Sequence, residues 1–168
     1  MSPLASPVAS RRTFLRPHTA RARVVRPPQA RAEETFITLC TRCNACIESC
    51  PPQIIVRGDG GFPFLDFRRG ECTLCAACIQ RCTTGALHPL AEGTALRQIA
   101  HMEISPSCLA QQQIECRICE TQCPQDAIRF RPRLGGIAQP ERLEASCTGC
   151  GACYAPCPSR AITLEPLA

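Results

Sequence analysis

Sixteen cysteines carry most of the reactive groups of this 168-residue sequence, and they fall into four groups along the chain. The most regular group is Cys147, Cys150, Cys153 and Cys157, which is followed by Pro158. Its first three thiolates lie too close together in sequence to reach different structural elements, so we expect them to surround one compact inorganic group. The fourth points away and completes the site of a partner copy, so one copy alone completes no site.

Three further copies of this spacing, C-x2-C-x2-C-x3-C, precede the last one, and two of them are regular. The second copy has Thr83 after its last cysteine where the others have proline. Proline suits a chain that leaves the loop without a free N–H, and its absence removes no ligand. The candidate ligands in the first and second copies are Cys40, Cys43, Cys46, Cys50, Cys72, Cys75, Cys78 and Cys82.

The third copy is stretched. It keeps Cys116, Cys119 and Cys123, but its leading cysteine lies upstream, at Cys108. Four groups of four use every cysteine in the sequence, so we expect up to four clusters. The long interval makes the third-motif cluster the least secure of these four predictions.

A fourfold repeat of this run indicates 4Fe–4S clusters of the bacterial ferredoxin type. Disulfides suit short secreted chains, but cysteines so closely spaced bridge each other poorly, and no secretory signal is present. Zinc is commonly held by two C-x2-C pairs or by cysteine and histidine together. The histidines, His18, His88 and His101, stand at no ligand spacing.

The composition leaves little material for an ordinary apolar core, since aromatic residues make up 4% and tryptophan is absent. Folded units of about 45 residues usually need bound metals, disulfides or other cross-links to be stable. We therefore expect the clusters to serve as the core and the cluster-free chain to be largely unfolded. No acid–base pair or cofactor loop is visible, so the protein is not predicted to be an enzyme.

Basic residues concentrate at the start of the chain. Residues 1–31 carry seven arginines and no acid, whereas the remainder has twelve arginines and fourteen acids. Clusters and their thiolates add negative charge to that remainder, so nucleic-acid binding loses its electrostatic basis. We predict a flexible, disordered basic arm over residues 1–32.

Arg11 and Arg12 follow Ser10 as in a twin-arginine export motif. No apolar stretch or cleavage site follows the pair, so we expect a cytoplasmic protein. No apolar run of about 18 residues occurs anywhere, and a membrane span is not predicted. The two arginines are candidates for docking a protein partner.

The elements around the ligands predict an α+β fold of tandem two-cluster ferredoxin-like modules. A short β-type segment leads into each loop, a turn or two of helix follows, and another β-type segment leaves it. In the first copy these segments are residues 36–39 and 54–56. We place the modules at 36–90 and 108–168, with a linker at 91–107.

Crossed ligation inside each module predicts four ligand sets, because the fourth cysteine of each run belongs to the neighbouring cluster. A nested pairing, of the first copy with the fourth and the second with the third, is the alternative. The crossed sets are Cys40, Cys43, Cys46 with Cys82; Cys72, Cys75, Cys78 with Cys50; Cys108, Cys116, Cys119 with Cys157; and Cys147, Cys150, Cys153 with Cys123.

Small residues stand between many of the ligands, among them Ala45, Gly149 and Gly151. We expect a larger side chain there to collide with cluster sulfur. Small residues also let backbone N–H groups donate to sulfides and thiolates.

Beyond the cysteine runs, the sequence resembles the NapF family of ferredoxin-type proteins of the periplasmic nitrate reductase system. The resemblance rests on the paired arginines at 10–12, the stretched third copy, its exit at 130–132 and the closing run from Cys147. It implies a cytoplasmic accessory protein that binds the molybdenum-containing catalytic subunit before export and assists its maturation, with iron–sulfur assembly as one route. The alternative is an electron-transfer polyferredoxin between a quinol-oxidising complex or soluble reductase and a terminal reductase.

Overall fold

The computed structural model describes residues 24–91, 94, 96 and 98–167. Short helices and short strands alternate along this part of the chain, which confirms the α+β prediction. The helices are α1 (Glu33–Leu39), α2 (Ala45–Glu48), α3 (Ala77–Gln80) and α4 (Ile118–Thr121), with a 3-10 turn at Asp59–Gly61; the strands are β1 (Ile55–Arg57), β2 (Pro63–Leu65), β3 (His101–Ile104), β4 (Ile128–Arg133), β5 (Gly136–Arg142) and β6 (Ile162–Glu165).

The strands form three antiparallel pairs, each of two strands. In the first half β1 pairs with β2, with Ile55 opposite Leu65. In the second half β4 pairs with β5 as a hairpin, and β3 pairs with β6, so that Met102 lies opposite Leu164. Each two-stranded pair is marginal by itself, so its stability depends on what packs against it.

Two groups of buried apolar side chains lie beneath these pairs. The first contains Phe36 and Ile54, which are 1% and 0% exposed, and the second contains Met102 and Ile128, at 1% and 2%. Cysteines of the cluster motifs pack against both groups. The apolar residues therefore cover the cysteine loops.

The prediction of a β-type segment at residues 36–39 is wrong, because helix α1 occupies them. Glu33 and Glu34 stand in the first turn of α1, where carboxylates interact favourably with the helix dipole. The helix buries Phe36 and leaves Ile37 37% exposed.

The prediction of a disordered arm is wrong for residues 24–32, which we call the strap. The N–H of Leu65 donates to the carbonyl of Val25 at 2.8 Å, and Ala30 forms an antiparallel bridge with Leu87. Pro27 is fully buried. The strap is ordered because it closes the first apolar core. Residues 1–23, with Arg11 and Arg12, lie outside the described part of the chain.

The predicted linker at 91–107 also needs correction, because its residues 101–104 are strand β3 of the second module. Ile99 and Ala100, 6% and 0% exposed, belong to the first apolar core. Within the described residues, no helix has the length and apolar character needed to cross a bilayer.

Candidate iron–sulfur centres

The first-motif site is a partly open pocket beside α1, with about 380 Å³ of space when the solvent at its mouth is included. Cys40, Cys43 and Cys46 line it together with Cys82 from the end of the second copy. Phe36 and Leu87 supply apolar cover. The fourth thiol therefore comes from the neighbouring copy, as crossed ligation requires.

Two further cavities repeat this arrangement at nearly the same size. The second-motif site measures about 310 Å³ and the fourth-motif site about 320 Å³. Three cysteines of one run and the last cysteine of the neighbouring run line each of them. These are Cys72, Cys75, Cys78 with Cys50, and Cys147, Cys150, Cys153 with Cys123.

The third-motif site depends on how the chain covers the long interval after Cys108. A turn brings it back, with the N–H of Gln112 donating to the carbonyl of Cys108 at 3.0 Å. Burial, and next the negative charge of Cys108 and Cys116, raises the pKa of Cys119 to about 11; Cys157 adds to the effect. Cys119 therefore lies within electrostatic range of the other three cysteines of this predicted set, despite the interval.

The structure thus lines three pockets with one crossed set each and places Cys119 within electrostatic range of the other cysteines of the third-motif set, so we propose all four as the ligand sets. A nested pairing would place Cys157 beside Cys40, where Cys82 stands instead. No three histidine, cysteine or acidic side chains of the described residues converge closely enough to hold a single metal ion. A cubane differs from a single ion because it receives its four thiolates around a larger body, and soft thiolates suit its iron.

Burial of the ligand cysteines makes the metal necessary for their ionisation. Burial, and next the negative charge of neighbouring thiolates, raises the pKa of Cys78 and of Cys153 to about 12. The same causes raise the pKa of Cys46 to about 11. Without metal these thiols stay protonated at neutral pH, whereas iron binds the thiolate and displaces the proton.

Backbone N–H groups point at the sulfur of the last cysteine in three copies. Leu87 donates to Cys82 at 3.4 Å, and Ala127 donates to Cys123 at 3.2 Å. Ala161 donates to the third, Cys157, at 3.3 Å. Such bonds stabilise a thiolate and raise the reduction potential of a bound cluster.

Cys82 shows the balance between burial and these hydrogen bonds. Burial raises its pKa, but the N–H of Leu87 and the hydroxyl of Thr84 outweigh that effect and hold the pKa below its ordinary value. The pKa of Cys82 therefore shifts in the opposite direction to that of Cys46 in the same set. The absence of proline at Thr83 leaves this environment intact.

In three of the copies, the residues directly before and directly after the second cysteine adopt left-handed backbone conformations whatever their type. Arg42, Leu74 and Gly149 occupy equivalent places in three copies and have φ of 60°, 58° and 67°. The expectation that small residues there avoid cluster sulfur therefore does not hold at this place, since arginine and leucine fill it in two copies. Glycine at 149 has another cause.

That cause is a contact that the sequence did not reveal. A Cβ on Gly149 would collide with the carbonyl oxygen of Ala100 and lie 2.7 Å from its nitrogen. A Cβ on Gly151 would overlap the ring edge of Phe67, with 2.8 Å to Cε1. The sequence feature that could have indicated this contact is that the fourth copy alone has glycine directly before and directly after its second cysteine.

Comparisons with known proteins agree with this arrangement. Family models described as 4Fe-4S dicluster domains match residues 39–87 and 114–161. The ferredoxin-type protein NapF of Escherichia coli strain K12 is 44% identical over 143 residues, which cover 85% of each chain. NapF of Haemophilus influenzae is 42% identical over 143 residues, covering 85% of this chain and 80% of that protein. The methylamine utilization ferredoxin-type protein MauM of Methylobacillus flagellatus is 35% identical over 153 residues, covering 81% of this chain and 64% of that one.

Proposed function

The chain belongs to the NapF family of ferredoxin-type proteins, and from this premise we propose a role in the maturation of periplasmic nitrate reductase. It carries multiple 4Fe–4S clusters in two dicluster domains. In our proposal it is a cytoplasmic accessory protein that binds the molybdenum-containing catalytic subunit before export and assists its maturation, including its iron–sulfur assembly. The 44% identity to NapF over 85% of both chains is the observation that carries this proposal.

The residues support an accessory or electron-carrying role rather than catalysis of its own. The proposed ligand sets use all sixteen cysteines. The three cavities described above are each lined by four of them. The protein would hold the clusters, limit their contact with water and tune the thiolates, while a bound cluster would supply one-electron chemistry.

A second candidate function is electron transfer to a terminal reductase. The N–H of Cys72 donates to the carbonyl of Cys150 at 2.8 Å, so loops from the two modules touch between proposed cluster sites. Adjacent sites of this kind suit a relay as well as an assembly factor. A quinol-oxidising complex or a soluble reductase would be the donor.

Deletion of the gene, in cells without a paralogue, separates the two functions. The catalytic subunit is purified from the deletion strain and assayed with reduced viologen, which bypasses any natural donor. The maturation role predicts an inactive, iron-deficient subunit. Full viologen activity combined with lost quinol-dependent activity would establish the relay instead, and full activity with both donors would contradict both roles.

Docking of the partner is tested with the unexported catalytic subunit as bait. Replacement of Arg11 and Arg12 by alanine should weaken capture of the protein while its iron content stays unchanged. The matched control replaces Arg21 and Arg23, which removes the same charge from the same segment. Equal loss in both variants would assign the effect to net charge, and no loss in either would remove the paired arginines from the interface.

A further inference from the structure

The fourth-motif loop, residues 147–157, packs directly against the first module. The N–H of Cys72 donates to the carbonyl of Cys150, as noted above, and the ring of Phe67 lies 6.3 Å from that of Tyr154. Two proposed ligands of different sites, one in each module, are thus joined by a single hydrogen bond.

A second contact stands beside this one. The N–H of Ile99 donates to the carbonyl of Thr148 at 2.8 Å, and Gly149 lies against the backbone of Ala100. Ala100 is fully buried, so it has no room to move away from a larger residue. The chain between the modules is therefore fastened to the same loop that binds the cluster.

We infer that the fourth-motif loop holds the two modules in position as well as binding a cluster. Gly149 and Gly151 of this loop and Phe67 of the first module are the positioning residues. The loop fixes the second-motif and fourth-motif sites side by side.

The order of the four sites follows from this contact and from crossed ligation. Within a module, a short stretch of chain joins the two neighbouring sites. In the first module it runs from Cys46, in the first-motif set, to Cys50, in the second-motif set. The second module has the same relation between Cys119 and Cys123. The sites therefore run first, second, fourth, third, with the contact between modules at the middle.

This inference rests on the cluster-carrying part of the proposed function and is independent of the client protein. Its test replaces Gly151 with leucine, which drives a side chain into Phe67. Asn44→Leu is the matched control, because Asn44 stands at the equivalent place in the first copy, with φ of 65° against 89° for Gly151, away from the module contact. Iron content, small-angle scattering and EPR of the dithionite-reduced proteins are measured anaerobically.

The unmodified protein should show magnetic coupling between clusters of different modules, and Asn44→Leu should keep it. Gly151→Leu should lose that coupling and give a more extended scattering profile, while keeping coupling inside each module. An unmodified spectrum equal to the sum of two independent two-cluster modules would overturn the inference. So would an unchanged spectrum in a fully loaded Gly151→Leu variant.

If Gly151→Leu fails to load iron, the spectrum of the unmodified protein still decides the matter. Coupling across modules in that spectrum supports the order of sites, and its absence refutes it. Failure of the maturation proposal would appear only in the client experiments, so the two failures are distinguishable.

Discussion

The first-motif loop, residues 40–50, and the fourth-motif loop share two left-handed backbone positions but face different surroundings. Arg42 and Asn44 have φ of 60° and 65°, much like the two glycines of the fourth copy. The guanidinium of Arg42 lies at the surface, 5.2 Å from the ring of Phe62. A cluster-binding loop therefore accepts ordinary residues at left-handed positions, and paired glycines mark the place where another part of the protein comes close.

Removal of the clusters should produce the largest effect and should affect both loops alike. Each module has only a small apolar core, and metal-free thiols such as Cys78 and Cys153 are buried and neutral. Chelation of iron under anaerobic conditions is expected to abolish the cooperative thermal transition and most of the helical circular dichroism signal.

Reconstitution with iron and sulfide is the control, and it should restore both signals together. A metal-free sample that kept one transition would show that the corresponding module has an apolar core sufficient for folding. The two loops would then belong to one module that needs metal to fold and one that does not.

Gly149→Ala should have the next largest effect, because the new methyl group meets backbone atoms of Ala100 that cannot move aside. We expect a cost of about 2–3 kcal/mol. That cost lowers the midpoint of thermal unfolding by roughly 5–10 °C in a chain of this size. Loss of visible absorbance on heating at a fixed rate measures it.

Arg42→Ala is the matched control, since it places alanine at the equivalent left-handed position of the first-motif loop. It removes an exposed cation–π contact and should lower the free energy of unfolding by at most about 1 kcal/mol. The midpoint of thermal unfolding should therefore change less than in Gly149→Ala. Equal shifts in the two variants would mean that the glycine serves the loop itself and not the module contact.

Arg26→Ala should have a smaller effect than Gly149→Ala, and only on the first module. Arg26 is 14% exposed, pairs with Glu33, and donates to the carbonyl of Pro63 at 3.0 Å. Its guanidinium also lies 5.0 Å from the ring of Phe36. Its loss should cost about 1–2 kcal/mol through weaker attachment of the strap.

Arg68→Ala provides the comparison for that variant. Arg68 is 74% exposed and pairs with Asp66 at the surface, so its removal should cost less than about 1 kcal/mol. Proteolysis near residue 31 should increase in Arg26→Ala alone. Similar stability of the two variants would show that the strap does not depend on Arg26.

The sequence predicted those features that local spacing determines. The C-x3-C step predicts that the fourth thiol of each run belongs to the site of another copy. Strand β1, Ile55–Arg57, follows from the β-type segment predicted at residues 54–56. Both depend on neighbours in sequence, so no knowledge of the distant chain was needed.

Features that depend on distant partners were missed. The strap is ordered by Leu65 and Leu87, which stand far from it in sequence. Residues 36–39 have β-type side chains, yet they form a helix because two glutamates begin it and Phe36 alone needs burial. The role of Gly149 appears only when Ala100 is seen beside it.

The iron and sulfide content of anaerobically purified protein, with Mössbauer spectra of the same sample, tests the four cluster sites most directly. Four cubanes on the crossed cysteine sets predict about sixteen iron atoms and sixteen sulfides per chain, four of each per site. The Mössbauer spectra should then contain 4Fe–4S signals alone. A fully folded sample with half that iron, or with zinc in its place, would contradict the assignment of all sixteen cysteines.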